Sequence, residues 1–131
     1  LRKETGVPVS TNCVDLDALA CHPMIDSVVS DPSLLGGIND LVEFISSVKA
    51  LNKRFWLRSH WELGIGWAAL CHIGISRPEI DRPSQALINW VEDDLILGDP
   101  WLVREGGVQP PEKPGLGVEL DRKALEKYKL T

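Results

Sequence analysis

The chain has 131 residues, 44% hydrophobic and 25% charged, with a formal net charge of −5. That composition places it in the globular range, long enough for one domain with a core, and with no Lys/Arg stripe it argues against a nucleic-acid partner. Three cysteines (Cys13, Cys21, Cys71) without CxxC spacing fit a reducing compartment, read here as the cytoplasm. The longest apolar run, Leu63 to Ile75, is broken by Gly64, Gly66, His72 and Gly74, too short for a membrane span, and the N-terminus shows no signal-peptide pattern.

LRKETG opens the chain like the last turn of a helix, with basic residues near the carbonyl end and Gly6 as the stop. Val7 to Thr11 reads as a strand closing on Asn12, Asp15 to Ala20 as a short helix, and IDSVVSD as a second strand ending on Asp31. After Gly36 and Gly37, the residues Ile38, Leu41, Val42, Ile45, Val48 and Leu51 recur at spacings of three and four. That is the one-sided face of a helix lying on a sheet, and Asn52 and Lys53 end it. Phe55 to Ser59 is the third strand. Residues 62–75 are apolar nearly all round, as in a helix pressed between layers, and Ala86 to Ile88 is a short fourth strand before Asn89.

Four β/α units in a row imply an α/β fold with a parallel sheet and helices outside it. In a (β/α)8 barrel the working residues stand at the carboxyl ends of the strands, and these ends carry Asn12, Asp31, Arg58 with His60, and Asn89. A doubly wound open sheet would give a similar period, but only GxG fragments occur, at Gly64-Ile65-Gly66 and Gly115-Leu116-Gly117. Since the barrel usually takes about 250 residues, the expected architecture is roughly its last half, the C-terminal part of a modified TIM barrel.

Several stretches support this reading: VPVSTN, then VVSDP, SDPSLLGGI at 30–38, SHWELGIGWAALCHIG at 59–74 and above all GGVQPPEKPGLGVELDRKALEKY at 106–128. In this order they resemble the C-terminal half of the enolase superfamily, in the mandelate racemase and glucarate dehydratase branch, over nearly the whole chain. The resemblance implies an α+β capping domain joined to a modified barrel. Residues 1–103 would hold strands five to eight, and residues 104–131, an extended segment and a helix, would return to a capping domain outside this chain.

The resemblance also implies the chemistry. Members abstract the proton next to a substrate carboxylate, with Mg2+ stabilising the enediolate that forms. The metal is held by acids at the third and fourth strands and an acid or Asn at the fifth, the position of Asn12; read alone, Asn12 is equally a turn residue capping the next helix. One face of the substrate meets second-strand lysines, the other a seventh-strand His held by a sixth-strand Asp. Asp31 matches that Asp, with an Asp-Pro turn cap as its bland alternative.

At the seventh strand this chain departs from the pattern: Arg58 stands at the usual histidine and His60 at the usual asparagine. Side chains two apart on a strand share a face, so His60 is expected to point to the barrel mouth as acid or base, with Asp31 as its partner. Arg58 stays protonated and is expected to clamp a carboxylate or neutralise Asp31. Glu62 and Asn89 are expected substrate contacts, Glu62 being equally suited to the first turn of the following helix. His22, His72 and Cys71 read as structural, and Glu92, Asp93 and Asp94 as a solvated loop.

The expected activity of the intact polypeptide is a magnesium-dependent lyase that removes water from an acid sugar. A racemase or epimerase, or a degenerate homologue that binds a carboxylate without turnover, are the alternatives. The expected partners are a small acid-sugar or other carboxylate substrate, the missing N-terminal half and further copies of the chain, with no nucleic acid and no membrane. An open half-barrel leaves unpaired edges at Val7 to Thr11 and at Ala86 to Ile88.

Overall fold

A computed structural model describes residues 2–130. The chain opens on helix α1 (Arg2–Thr5), which Gly6 ends in the left-handed region at φ +70°, its N–H donating to the carbonyl of Arg2 at 2.9 Å. Strand β1 is confined to Ser10–Thr11, shorter than the sequence pattern suggested. Pro8 has no N–H to give to a ladder, and the N–H of Val9 goes to the carboxylate of Asp26 at 2.8 Å. Helix α2 (Leu16–Cys21) follows, then β2 (Ser27–Ser30), a short α3 (Pro32–Leu35), α4 (Ile38–Ala50) and β3 (Arg54–Leu57).

The three strands form one parallel sheet in the order β1-β2-β3, with Ser10 opposite Ser27, Val28 opposite Phe55 and Ser30 opposite Leu57. Side chains alternate along each strand and register partners share a face, so this pairing sorts the sheet into two surfaces. Val28, Ser30, Phe55 and Leu57 are buried on one. On the other stand Ser10, Val29 and Trp56, each at least partly accessible, the indole N–H of Trp56 donating to Ser10 Oγ at 3.1 Å.

Helix α4 packs on the buried face through Leu41, Phe44, Ile45 and Val48, and Phe44 meets Phe55 edge to face with ring centroids 6.3 Å apart. The buried stripe is turned slightly from the expected one. Phe44 is in the core, whereas Val42 is half-buried and Ile38 is 45% exposed, because a large ring reaches the sheet where Val cannot.

Lys53 is a buried charge beside this sheet, 6% exposed, its ammonium donating to the carbonyls of His22 and Ile25 at 3.0 and 2.9 Å. It ties the loop before β2 to the start of β3. Lys53→Met keeps the stem but leaves both carbonyls without this donor. Hydrogen bonds to charged groups are each worth roughly 1.5–3 kcal/mol, and relief of the ammonium's desolvation offsets part of the two, so a loss of about 2–4 kcal/mol is expected in urea unfolding. Unchanged stability would show that water replaces the ammonium.

Residues up to Arg58 together with Arg77–Gln85 make up one compact unit, and Ser59–Ser76 with the residues from Ala86 onward make up a second. The second is built around α5 (Gly64–Ser76), which buries Trp67, Ala68, Leu70 and Ile73. Gly64 is required by close approach, since a Cβ there would lie 2.6 Å from Ile96 Cδ1. The indole of Trp67 donates to the carbonyl of Trp101 at 2.7 Å. Ile96 bridges Leu120 in antiparallel fashion, and Asp121 then caps helix α6 (Arg122–Tyr128).

The expected fourth strand, Ala86 to Ile88, does not form. Gln85 N donates to Leu57 O at 3.0 Å, one ladder-like bond. Leu87 turns to helical dihedrals and its N–H goes to Ser59 Oγ at 3.1 Å, so the chain enters a 3-10 helix at Ile88–Trp90 instead. A hydroxyl has taken the place of the backbone partner that a strand needs. No described helix is long and apolar enough to cross a membrane.

Candidate active site

The open face of the sheet carries the candidate residues at its carboxyl end. Continuing the register by one alternation places Asn12, Asp31 and Arg58 on the same side as Ser10, Val29 and Trp56, each just past the end of its strand. Arg58 still belongs to the ladder, its N–H donating to Ser30 O at 2.8 Å. Three residues chosen from three separate sequence stretches are therefore brought to adjacent strand ends.

Asp31 is the pivot. It is 1% exposed, and its two carboxylate oxygens are divided between neighbours. Oδ1 accepts from Ser33 N at 2.8 Å and from the Ser33 hydroxyl, capping α3, while Oδ2 accepts from Arg58 Nε at 2.6 Å. The turn-cap role and the charged-pair role suggested by the sequence thus coexist on one side chain. Burial works to raise its pKa, but the hydrogen bonds from Ser33 and Arg58 outweigh it, so the carboxyl titrates below its usual value and stays ionised.

Asn12 follows β1 with its side chain exposed and making no hydrogen bond among the described residues. The cap on α2 comes instead from Asp15, whose carboxylate accepts from the N–H groups of Asp17 and Ala18 at 3.0 Å each. The amide oxygen of Asn12 is thus available to a hard cation. Among the described residues no group of three His, Cys, Asp or Glu could hold a metal. Asn12 fits as one oxygen ligand of a site completed by other groups.

After Arg58 the backbone leaves the strand, so the way His60 points is set by a turn rather than by the two-residue period. In that turn Glu62 accepts from Ser59 Oγ at 2.8 Å and from the backbone N–H of His60 at 2.7 Å. The His60 ring is exposed. Trp61 between them adopts φ +63°, a left-handed conformation in which a bulky residue is strained. Asn89 lies in the 3-10 helix with both ends of its amide on the backbone of Val103, accepting from its N–H at 2.8 Å and donating to its carbonyl at 3.0 Å. In this arrangement it brackets two loop segments.

Other expected roles are resolved by packing. His22 bonds the carbonyl of Ala18 at 2.7 Å, at the end of α2. His72 bonds that of Leu116 at 3.2 Å and meets Trp101 edge-on. Burial pushes the Cys71 thiol up to about 12, which removes it as a nucleophile near neutral pH. The acidic run has structural work that its sequence does not announce. Asp94 accepts from Gly64 N at 2.8 and 3.0 Å, closing the start of α5, and Asp93 accepts from the Lys127 ammonium at 2.8 Å and from the Tyr128 hydroxyl, anchoring α6. Their partners lie about thirty residues away, beyond any local sequence signal.

The fold and these strand ends define a piece of a (β/α)8-type barrel of the enolase kind. Residues 1–124 match the enolase C-terminal domain-like family, and the chain belongs to that family. A probable glucarate dehydratase from Streptomyces coelicolor is 28% identical over 128 residues, covering 93% of this chain and 29% of that protein. Among solved structures, an enolase from Pseudomonas fluorescens with bound magnesium, potassium and tartrate superposes with a TM-score of 0.86 at 26% identity, over 96% of this chain and 31% of that one. One from Gibberella zeae, complexed with magnesium, formate and sulfate, gives 0.83 at 30% identity, over 96% and 31% respectively. The chain therefore spans about three tenths of the length of these relatives.

Proposed function

We propose that this chain supplies part of the active site of a lyase that removes water from an acid sugar. The observation that carries this reading is the placement of Asn12, Asp31 and Arg58 side by side at the carboxyl ends of three parallel strands, where barrel enzymes hold their reactive groups. Its small-carboxylate character is supported by relatives solved with tartrate and with formate.

In this reading Arg58 attracts the substrate carboxylate and His60 moves a proton, while Asp31 keeps Arg58 in place. Removal of the proton on the carbon next to the carboxylate leaves an electron pair that forms a carbon–carbon double bond. The hydroxyl on the following carbon departs as water after receiving a proton, and the resulting enol becomes a 2-keto-3-deoxy acid. Asn12 would contribute one oxygen to Mg2+, which when bound supplies positive charge beside the substrate carboxylate. Residues 1–103 then belong to the barrel, and residues 104–131 lead back to a capping domain.

The test is a panel of acid sugars incubated with the full polypeptide and Mg2+, followed for a 2-keto-3-deoxy product. An inverted stereocentre without dehydration would replace the reading by a racemase. The Asp31–Arg58 pair favours one further outcome, carboxylate binding with no product, because the position usual for a base is filled by a permanent cation.

A further inference from the structure

We propose that Trp56, pinned by Ser10, is the floor of the carboxylate site and a specificity-determining residue: it limits what can be attached to the carbon next to the carboxylate. The inference deepens the carboxylate reading above and rests on it.

The floor lies within one compact unit and on one face of one sheet. Arg54, Trp56 and Arg58 follow one another at two-residue spacing along β3 and its carboxyl end, so all three side chains leave the open face. Ser10 stands on β1, and β2 runs between the two strands. With neighbouring strands about 4.8 Å apart, β1 and β3 are separated by roughly 10 Å, yet the indole N–H of Trp56 reaches Ser10 Oγ at 3.1 Å. The ring therefore lies across β2 instead of standing up from the sheet. Val29 is opposite Trp56, and Asp31 follows Val29 by two, so the crossing falls on the amino side of the Asp31–Arg58 pair.

What lies on either side of the indole gives it its role. Toward the carboxyl end is the Arg58 guanidinium. Toward the amino end is a hollow of about 860 Å³ that Trp56 itself lines, together with Ser27, Arg54 and Arg82. Among the described residues the Arg54 guanidinium makes no ion pair, so it is a second seat for a carboxylate on the same strand face. The indole separates the two. A carboxylate that arrives from the strand ends meets Arg58 and is stopped by the ring before it can sink toward Arg54. Trp56 and Arg58 are one alternation apart, roughly 6–7 Å along the strand, which leaves little depth beneath a carboxylate on Arg58. Hydrogen and hydroxyl on the adjoining carbon fit in that depth, and a further methyl does not. The bond to Ser10 holds the ring in one rotamer, without which it could swing aside and open the passage.

The experiment compares two hydroxy acids on the full polypeptide with Mg2+, malate and its 2-methyl homologue citramalate, which differ by one methyl on the carbon next to a carboxylate. The readout is the ratio of their dissociation constants, which a general loss of packing does not move. The unsubstituted protein should favour malate. Trp56→Ala should shift the ratio toward citramalate by about tenfold, the low end of what one methyl's fit in a pocket is worth. Trp56→Phe, whose ring has no N–H for Ser10, should shift it in the same direction by less. Ser10→Ala keeps the indole and removes its anchor, and should shift the ratio by about two- to threefold, the size of one hydrogen bond. These two variants decide the matter where Trp56→Ala fails to fold.

Citramalate bound as well as malate by the unsubstituted protein would overturn the floor. So would equal losses for both acids in the variants, which would make Trp56 a packing residue only. If neither acid binds the unsubstituted protein, the carboxylate reading itself falls and takes the floor with it. Malate binding with a ratio that no variant changes isolates the failure of the floor alone.

Discussion

Asp31→Asn is expected to destabilise the protein by about 3 kcal/mol, because it removes the charge of the more deeply buried member of an ion pair. The pair joins Arg58 Nε to Asp31 Oδ2 at 2.6 Å, with side chains 19% and 2% exposed. Asparagine can still cap α3, so the loss reports the charge rather than the turn. Arg58→Met should be milder in its effect on folding, since Ser33 continues to hold the carboxylate, and should raise the pKa of Asp31 as burial goes unopposed by the cation.

The pH dependence has a definite sign. The carboxyl of Asp31 titrates lower in the folded than in the unfolded chain, so its contribution is fully present above the ordinary carboxylate value. It is lost as the pH falls through the depressed folded value. Urea midpoints measured from neutral pH into the acid range should therefore fall for the unsubstituted protein, with a smaller acid-dependent loss for Asp31→Asn. Stability of Asp31→Asn within about 0.5 kcal/mol of the parent, the level expected of a surface change, would show that the pair is solvated.

Strand ends are more legible in the sequence than the turns and loops beyond them. VPVSTN, IDSVVSD and the approach to Arg58 carry both the β pattern and a terminal polar residue, and parallel pairing then makes the relative positions of Asn12, Asp31 and Arg58 a matter of register. The face of α4 is legible to within a small rotation, which Phe44 decides by size. The segment after Gln85 is not, because the three apolar residues Ala86 to Ile88 suit a buried strand and a 3-10 turn alike. A hydroxyl from Ser59, far away in sequence, tips the balance. Asn89 illustrates the same limit: being polar beyond an apolar run fits a substrate contact, and only the fold brings Val103 to both ends of its amide. The acids Asp93 and Asp94 look solvated as a run and are distinguished only by α6 and α5 arriving beside them.

His60→Asn is expected to lower kcat by about 10² to 10⁴, the usual contribution of a positioned proton-transfer group, with magnesium affinity nearly unchanged. The expectation rests on the site chemistry. Arg58 occupies the place where relatives of the resembled branch keep their histidine, and a guanidinium does not release its proton near neutral pH. His60, two residues further on, offers an imidazole on an accessible turn, with its own backbone N–H fixed by Glu62 at 2.7 Å. Asparagine keeps polarity and approximate size but carries no exchangeable proton of suitable acidity, so the loss should fall on kcat rather than on KM. Arg58→Lys separates the neighbouring role: the charge remains and the paired N–H fork is lost, which should mainly raise KM. Arg58→His gives the converse test. If His60 has taken over the displaced function, a second imidazole at position 58 adds little turnover to the parent but partly rescues His60→Asn. Full activity in a folded His60→Asn variant would instead leave His60 as a residue of the turn, and its exposed ring without a part in proton transfer.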